Sequence, residues 1–378
     1  MNNGPIWRIW LWQRIFSPHM GDLAVALAAR GCEVVYVAVE AMTPDRVAQG
    51  WTLPNLHGVR MELAPSAASA LALLASASAD TVHLCSGIRD HGPIGSVQLE
   101  LSRRKLRQWL VVETVEDAGW RGVLRRLVYG RLLKQWRQFG DGVLAIGAST
   151  SAWVTARGVL PARIFPFAYF LPEAAPTLAT GHPSGGRFRV LFVGQFIERK
   201  RLDVLIAALG RLTERNFELA VVGSGPLEQE LRQLAEGELP ARVDWVGRLP
   251  LAAVSAEMAR ADCLVLPSQH DGWGAVVSEA LMMGTPAICS STCGAAEVVP
   301  PSLHGGTFPV NDIEALSRLL EGMISNGPLN ESERARLASW ASCLGGRAGA
   351  DYLLGILEHV YHGKPRPMPP WAVARNAA

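Results

Sequence analysis

Two carboxylates, Asp271 and Glu279, stand eight positions apart in the stretch PSQHDGWGAVVSEALMMGTPAICS, Pro267 to Ser290. Gly272, Trp273 and Gly274 lie between them, and a helical run follows that closes at Gly284. The preceding CLVLPS reads as a buried strand, so Asp271 falls in a loop above the carboxyl edge of a sheet. The amides of Gly272 to Ala275 open the helix and can donate to an anion or to sugar hydroxyls. Glu279 lies about one turn further in, where a carboxylate can accept both hydroxyls of a ribose. Either acid alone is read more simply, Asp271 as a helix cap and Glu279 as a solvated helix residue. The pair, with glycines between, favours a grip on one nucleotide sugar.

Three more loops leave expected strands in the same half of the chain. GQFIERKR (Gly194 to Arg201) offers Gly194 and Gln195 and then the cations Arg199, Lys200 and Arg201 ahead of a helix. Cations beside a helix N-terminus suit a diphosphate, and a solvated basic turn fits equally well. Gly223 and Gly225 in GSGP let backbone approach a ligand or simply turn the chain. Arg248 in VGRLP could face a base, a phosphate or solvent.

These loops need sheets to hold them. RVLFVG, FELAVVG, RVDWVG, ADCLVLPS and TPAICS alternate with helical patterns, as do shorter apolar runs in the first half, such as Ile9–Trp12, VVYVAV, TVHLC, WLVVE and GVLAIG. A βαβα rhythm implies parallel sheets covered on both faces. At 378 residues two domains are expected. The boundaries read as an N-terminal domain over 1–173, a Pro/Gly/Ser-rich linker over 174–187, a second domain carrying these loops over 188–340, and a C-terminal helix and tail over 341–378 packing back towards the first domain. GKPRPMPPWAVARNAA at the end reads as a loose tail. Small ligands in such sheets bind beyond the carboxyl ends of the strands.

Residues 1–180 hold 18 basic and 13 acidic side chains, and the rest 18 and 21, so the basic first half suits an anionic acceptor or surface. The six cysteines form no C-x-x-C pair, which fits buried thiols better than disulfides or zinc. No signal peptide is expected, and the chain reads as cytoplasmic or peripheral on the inner membrane face. Gly122–Gly140 reads as a basic amphipathic helix, with Leu124, Leu127, Leu132, Leu133 and Trp136 against Arg125, Arg126, Arg131, Lys134 and Arg137. It suits either a packed surface helix or an anionic membrane surface.

The segments VLFVGQFIERKRLDVLIAAL, VVGSGP, VDWVGRLP, ADCLVLPSQHDGWGAVVSEALMMGTPAI and GAAEVV, in this order, resemble the donor domain of the retaining family 4 glycosyltransferases. The resemblance implies the GT-B architecture, two Rossmann-like α/β domains facing each other across a cleft that closes on the substrates. It implies acceptor binding for the first domain and nucleotide-sugar binding for the second. It implies transfer of a sugar from a UDP- or GDP-linked donor to a saccharide or lipid-linked acceptor, in cell-surface polysaccharide or glycolipid synthesis. Asp271 and Glu279 match the family's pair of acids with seven residues between, and Asp271 stands where the family usually has Glu. Gln195 stands where Arg is common, and Lys200-Arg201 where Lys-Gly is usual. By this resemblance Arg199 and Lys200 neutralise the phosphates, Asp271 orients the donor sugar and Glu279 holds the ribose. IFSPHMGD resembles the loop of the family's first domain that faces the donor, placing His19 and Gly21 there. Where the family often carries an acceptor-side His, the chain reads VVETVEDAG, leaving Glu113 and Glu116. No D-x-D motif occurs, so no cofactor and no catalytic divalent metal are expected, and neither is nucleic acid. The alternatives are a nucleotide-sugar epimerase of the same fold and a catalytically inert membrane-surface protein.

Overall fold

The computed structural model describes every residue except 1–5, 49, 89–91, 116, 118, 174–185, 215, 300–304 and 378. The chain forms two compact units. One comprises Met1–Ala48, Thr52–Pro172 and Leu344–Val373, the other Gln49–Trp51, Glu173–Cys343 and Ala374–Ala378.

In the first unit seven strands are laid down in chain order: β1 (Arg8–Gln13), β2 (Glu33–Ala38), β3 (Val59–Leu63), β4 (Val82–Ser86), β5 (Gln108–Glu113), β6 (Gly142–Ile146) and β7 (Ile164–Phe167). They pair in the order β3-β2-β1-β4-β5-β6-β7, all parallel. The central strands are buried along nearly their whole length, as continuous apolar runs covered on both faces require.

The second unit repeats the plan with six strands: β8 (Phe188–Val193), β9 (Phe217–Val222), β10 (Val243–Gly247), β11 (Cys263–Leu266), β12 (Ala287–Ser290) and β13 (Gly306–Phe308). Their order is β10-β9-β8-β11-β12-β13, again all parallel. Order reverses between β8 and β11. This is the switch point at which two successive crossovers run to opposite sides and leave a crevice beyond the strand ends. The helices Leu202–Gly210 and Ile313–Asn326 cover one face, their buried leucines joining Val190, Leu219 and Val265 in one core.

Two expectations need correction. The helix after β1 begins at Pro18, within the stretch expected to be a loop, because Ser17 caps it by accepting from the His19 amide (3.2 Å) and Pro18 occupies the first turn. His19 and Gly21, expected in a loop, are therefore helical. The C-terminal segment is not a loose tail either. Pro370–Ala377 is a helix whose Trp371 is buried against Phe170 and Tyr352, and the Arg366 guanidinium bonds the carbonyls of Ala162 and Ile164. Burial of one large aromatic side chain outweighs the poor helix signal of a proline-rich stretch.

One ion cluster carries a stability prediction. Arg189 of β8 is buried and bonds Glu218, Asp244 (3.1 Å) and Glu257 (3.1 Å). Arg189→Ala takes from Glu218 and Glu257, whose side chains are 17 and 11% exposed, the buried cation they share, while Arg260 still pairs with Glu257 at 3.0 Å. It will cost about 3–5 kcal/mol, measured by urea unfolding. A loss under about 1 kcal/mol would mean that the cluster behaves as an exposed ion pair.

Candidate functional site

At the switch point of the second unit the loop after β8 meets the loop after β11. A short 3-10 turn, Glu198–Lys200, precedes the helix Leu202–Gly210, and Arg201 between them takes a left-handed conformation (φ 50°). That twist separates the three cations. Arg201 turns to Asp203 and Asn311. Lys200 Nζ lies 2.5 Å from Asp271 Oδ2, and Arg199 reaches the same oxygen at 3.5 Å while donating to the His270 carbonyl at 2.8 Å. The Gln269 amide donates to the Arg199 carbonyl (2.8 Å), so backbone as well as side chains holds the loops together. Of the three cations, Arg199 and Lys200, the two expected at the phosphates, share one carboxylate.

The glycine loop is clamped from the far side. The Gly294 amide donates to the Asp271 carbonyl (2.9 Å) and the Ala295 amide to that of Trp273 (2.7 Å). A Cβ on Gly294 would stand 2.0 Å from the Gly272 carbonyl oxygen, so only glycine lets the two backbones approach this closely. Gly274 has φ +89°, and a Cβ there would meet Leu266 at 2.7 Å. The turn sends the Trp273 side chain inward: it is 2% exposed, and its indole N–H donates to Ser278 Oγ at 3.1 Å. The donor contact expected of Trp273 was through its backbone amide; its side chain anchors the loop in the core. The helix Ala275–Met282 starts here, and the amides of Gly272, Gly274 and Ala275 have no acceptor among the described residues. They remain available to a ligand.

Glu279, on the second turn of that helix, is half-buried, and its carboxylate has no hydrogen-bond partner among the described residues. Desolvation raises its pKa to about 7.

Gly223 and Gly225 serve a neighbouring loop rather than open space. The Phe196 amide donates to Ser224 O and the Leu227 amide to Phe196 O (3.0 and 3.1 Å). Cβ atoms on Gly223 and Gly225 would meet the backbone oxygens of Gly194 and Phe196 at 1.9 and 2.5 Å. Exposed Arg248 donates to Ser224 Oγ on the same loop, and Gln195 is exposed.

In the first unit, His19 and Glu113 are linked through a residue that sequence reasoning missed. Tyr169, just after β7, donates its hydroxyl to Glu113 at the end of β5, and its ring lies 5.4 Å from that of His19. Burial, with Arg46 adding to it, lowers the His19 pKa to about 4, which keeps the imidazole neutral near pH 7. Gly21 faces Leu56 inside the helix, where a Cβ would stand at 2.9 Å, so its role is packing. Glu116 lies outside the described residues. The only sign of Tyr169 was a tyrosine in the aromatic run FAYFL, which reads as core.

Residues 180–339 match the family described as Glycosyl transferases group 1. A phosphatidyl-myo-inositol mannosyltransferase of Mycolicibacterium smegmatis is 32% identical over 174 residues, 43% of this chain and 44% of that protein. One of the same description from Mycobacterium leprae is 26% identical over 343 residues, 85% of this chain and 88% of its own. The chain thus spans under half of the first of these curated relatives. The fold is similar to that of an Anabaena protein, HepE, solved in complex with UDP, with a TM-score of 0.71, 14% identity and coverage of 93% and 99% of the two chains. A lipopolysaccharide outer core galactosyltransferase is similar at a TM-score of 0.68 and 14% identity, over 92% and 99%. No helix among the described residues is long and apolar enough to cross a membrane. Residues 180–339 of this chain are thus similar to the glycosyl transferases group 1 family, and its two parallel-sheet Rossmann-like units give it the GT-B fold.

Proposed function

We propose that this chain is a retaining glycosyltransferase. It transfers a sugar from a UDP- or GDP-linked donor to a saccharide or lipid-linked acceptor, as a peripheral protein on the inner membrane face, in cell-surface polysaccharide or glycolipid synthesis. The observation that carries the reading is the Lys200–Asp271 pair at the switch point, next to a helix whose first amides lack acceptors. In this reading the donor's diphosphate takes Arg199, Lys200 and the amides of Gly272, Gly274 and Ala275. Asp271 is then released to orient the donor sugar, and Glu279 accepts the ribose hydroxyls. As the glycosidic bond breaks, negative charge grows on the leaving phosphate, and fixed cations stabilise it more than they stabilise the ground state. The acceptor hydroxyl attacks from the leaving-group face and the phosphate takes its proton, so configuration at the anomeric carbon is kept. The two cations supply the positive charge, and the reading includes no divalent metal and no cofactor. The first unit's His19, Tyr169 and Glu113 are read as the acceptor side.

The test is a titration of UDP and GDP followed by product analysis with nucleotide sugars. The expected result is micromolar binding of one nucleotide and a glycosylated acceptor whose anomeric configuration matches the donor's. A free altered sugar formed without acceptor would identify an epimerase instead. Failure to bind either nucleotide would leave only an inert protein of this fold.

A further inference from the structure

The helix Gly119–Trp136 has two faces, and they divide differently from the amphipathic pattern expected of it. Gly122, Leu133 and Trp136 are buried, and Tyr129 packs its ring 5.2 Å from Trp153. These fix the helix on the first unit, with Arg126 donating to the Asp117 carbonyl at 2.5 Å near its start. The outward face carries Trp120, Val123, Leu124, Leu127 and Val128, exposed by 72, 46, 60, 67 and 40%. Leu124 and Leu127, expected on one apolar face with Leu132, Leu133 and Trp136, point to water, while Leu133 and Trp136 are buried. Their spacing places them in one stripe on consecutive turns.

The next two turns continue the same stripe with Arg131 and Lys134, both exposed. Neither makes an ion pair among the described residues, and no acidic residue occurs from Gly119 to Gly140. A contiguous row of exposed apolar side chains on an otherwise well-packed unit marks a surface that meets something apolar. Cations on the same row, without acids, select a partner that is anionic where the apolar part ends. A protein partner would need an apolar groove with acids at one end. A bilayer of anionic phospholipids supplies both layers along any direction, hydrocarbon for the leucines and phosphates for Arg131 and Lys134.

We propose that the outward face of Gly119–Trp136 is a membrane-docking surface, inserting Trp120, Leu124 and Leu127 into the headgroup–acyl boundary of an anionic bilayer. This rests on the peripheral location proposed above and not on the transfer chemistry. The experiment is co-sedimentation of the full chain with vesicles of phosphatidylglycerol and phosphatidylcholine in equal parts, against vesicles of phosphatidylcholine alone. The expected result is binding to the first and roughly thirty-fold weaker binding to the second, about the loss expected when two cations lose their lipid phosphates. Leu124→Gln with Leu127→Gln will weaken binding at least tenfold or so, and Arg131→Gln with Lys134→Gln will abolish the preference for anionic vesicles. Both pairs lie on the surface, and the melting temperature will confirm that the fold is kept. Wild-type binding that is absent, or unchanged in the leucine variant, overturns the proposal. So does a wild-type dimer in size-exclusion chromatography that the leucine variant converts to monomer, which would make the face a contact between copies. UDP and GDP titration on the same samples separates the two readings. Vesicle binding lost with nucleotide binding kept fails this inference alone, and the reverse fails only the donor assignment.

Discussion

Lys200→Ala will lower turnover about 10²–10³-fold while weakening donor affinity far less, the signature of a charge that acts on the transition state. Lys200 and Asp271 each have side chains 15% exposed and lie 2.5 Å apart, whereas Arg199 is 42% exposed. A cation shielded from water acts through a lower effective dielectric, so Arg199→Ala will cost turnover less than Lys200→Ala does. In the resting protein the ammonium is already satisfied by Asp271, and a ground-state diphosphate must displace that contact. The exchange yields little net affinity, and the gain comes as charge builds on the leaving oxygen. Removing Lys200 also strands the Asp271 carboxylate beside one looser cation, so some loss of stability is expected. The double variant Lys200→Ala with Asp271→Asn separates the effects: it will recover the melting temperature and not the turnover. Transfer at the wild-type rate in Lys200→Ala would refute the phosphate role.

The residues of this pair were legible in the sequence, but their contact was not. They lie 71 positions apart, and only the strand order, with β8 beside β11, brings their loops together. The parallel αβ repetition was legible because buried parallel strands read as continuous apolar runs. From the loop's residues alone the divergence of Arg201 was not legible, because a left-handed residue at a turn redirects its side chain, and nothing in ERKR announces which cation takes that conformation. The inward turn of Trp273 was not legible for a related reason: the positive φ of Gly274 and the close approach of Gly294 to the Gly272 carbonyl, which let the indole turn inward, arise only in the folded loop. For His19 the signal was present: Ser17 followed by Pro18 is a helix start, and it was outweighed by the lack of apolar periodicity in SPHMGD. Tyr169 carried no signal, because its partner Glu113 lies 56 positions away. The helix Gly119–Trp136 shows the limit of composition. Its leucines recur all round the helix, so only packing decides which of them are covered.

Glu279→Gln will make the protein more stable above pH 7 and a poorer binder of its donor. Desolvation raises the Glu279 carboxyl from 4.5 to about 7 in the folded chain. The folded state then holds a proton that the unfolded state has already released between these values. Stability from this group is full below about pH 4.5 and falls as pH rises towards 7, above which the whole cost of a partly buried charge is present. Glutamine removes that cost. Allowing for Glu279's partial exposure to water, the gain at pH 8 is on the order of 1–3 kcal/mol, vanishing near pH 4.5. Binding runs the other way. An ionised carboxylate accepts two ribose hydroxyls, and hydrogen bonds to a charged acceptor contribute about 1.5–3 kcal/mol, so the variant will bind the nucleotide about 10- to 100-fold more weakly. Wild-type affinity will also decline as pH drops below about 7 and the carboxyl protonates, a dependence the variant will lack. The two measurements are independent. Melting temperatures that track each other from pH 4.5 to 8 would show that the carboxyl is not raised, and unchanged nucleotide affinity would show that the ribose lies elsewhere. A residue that destabilises the free protein and strengthens the complex marks a site selected for its ligand rather than for the fold.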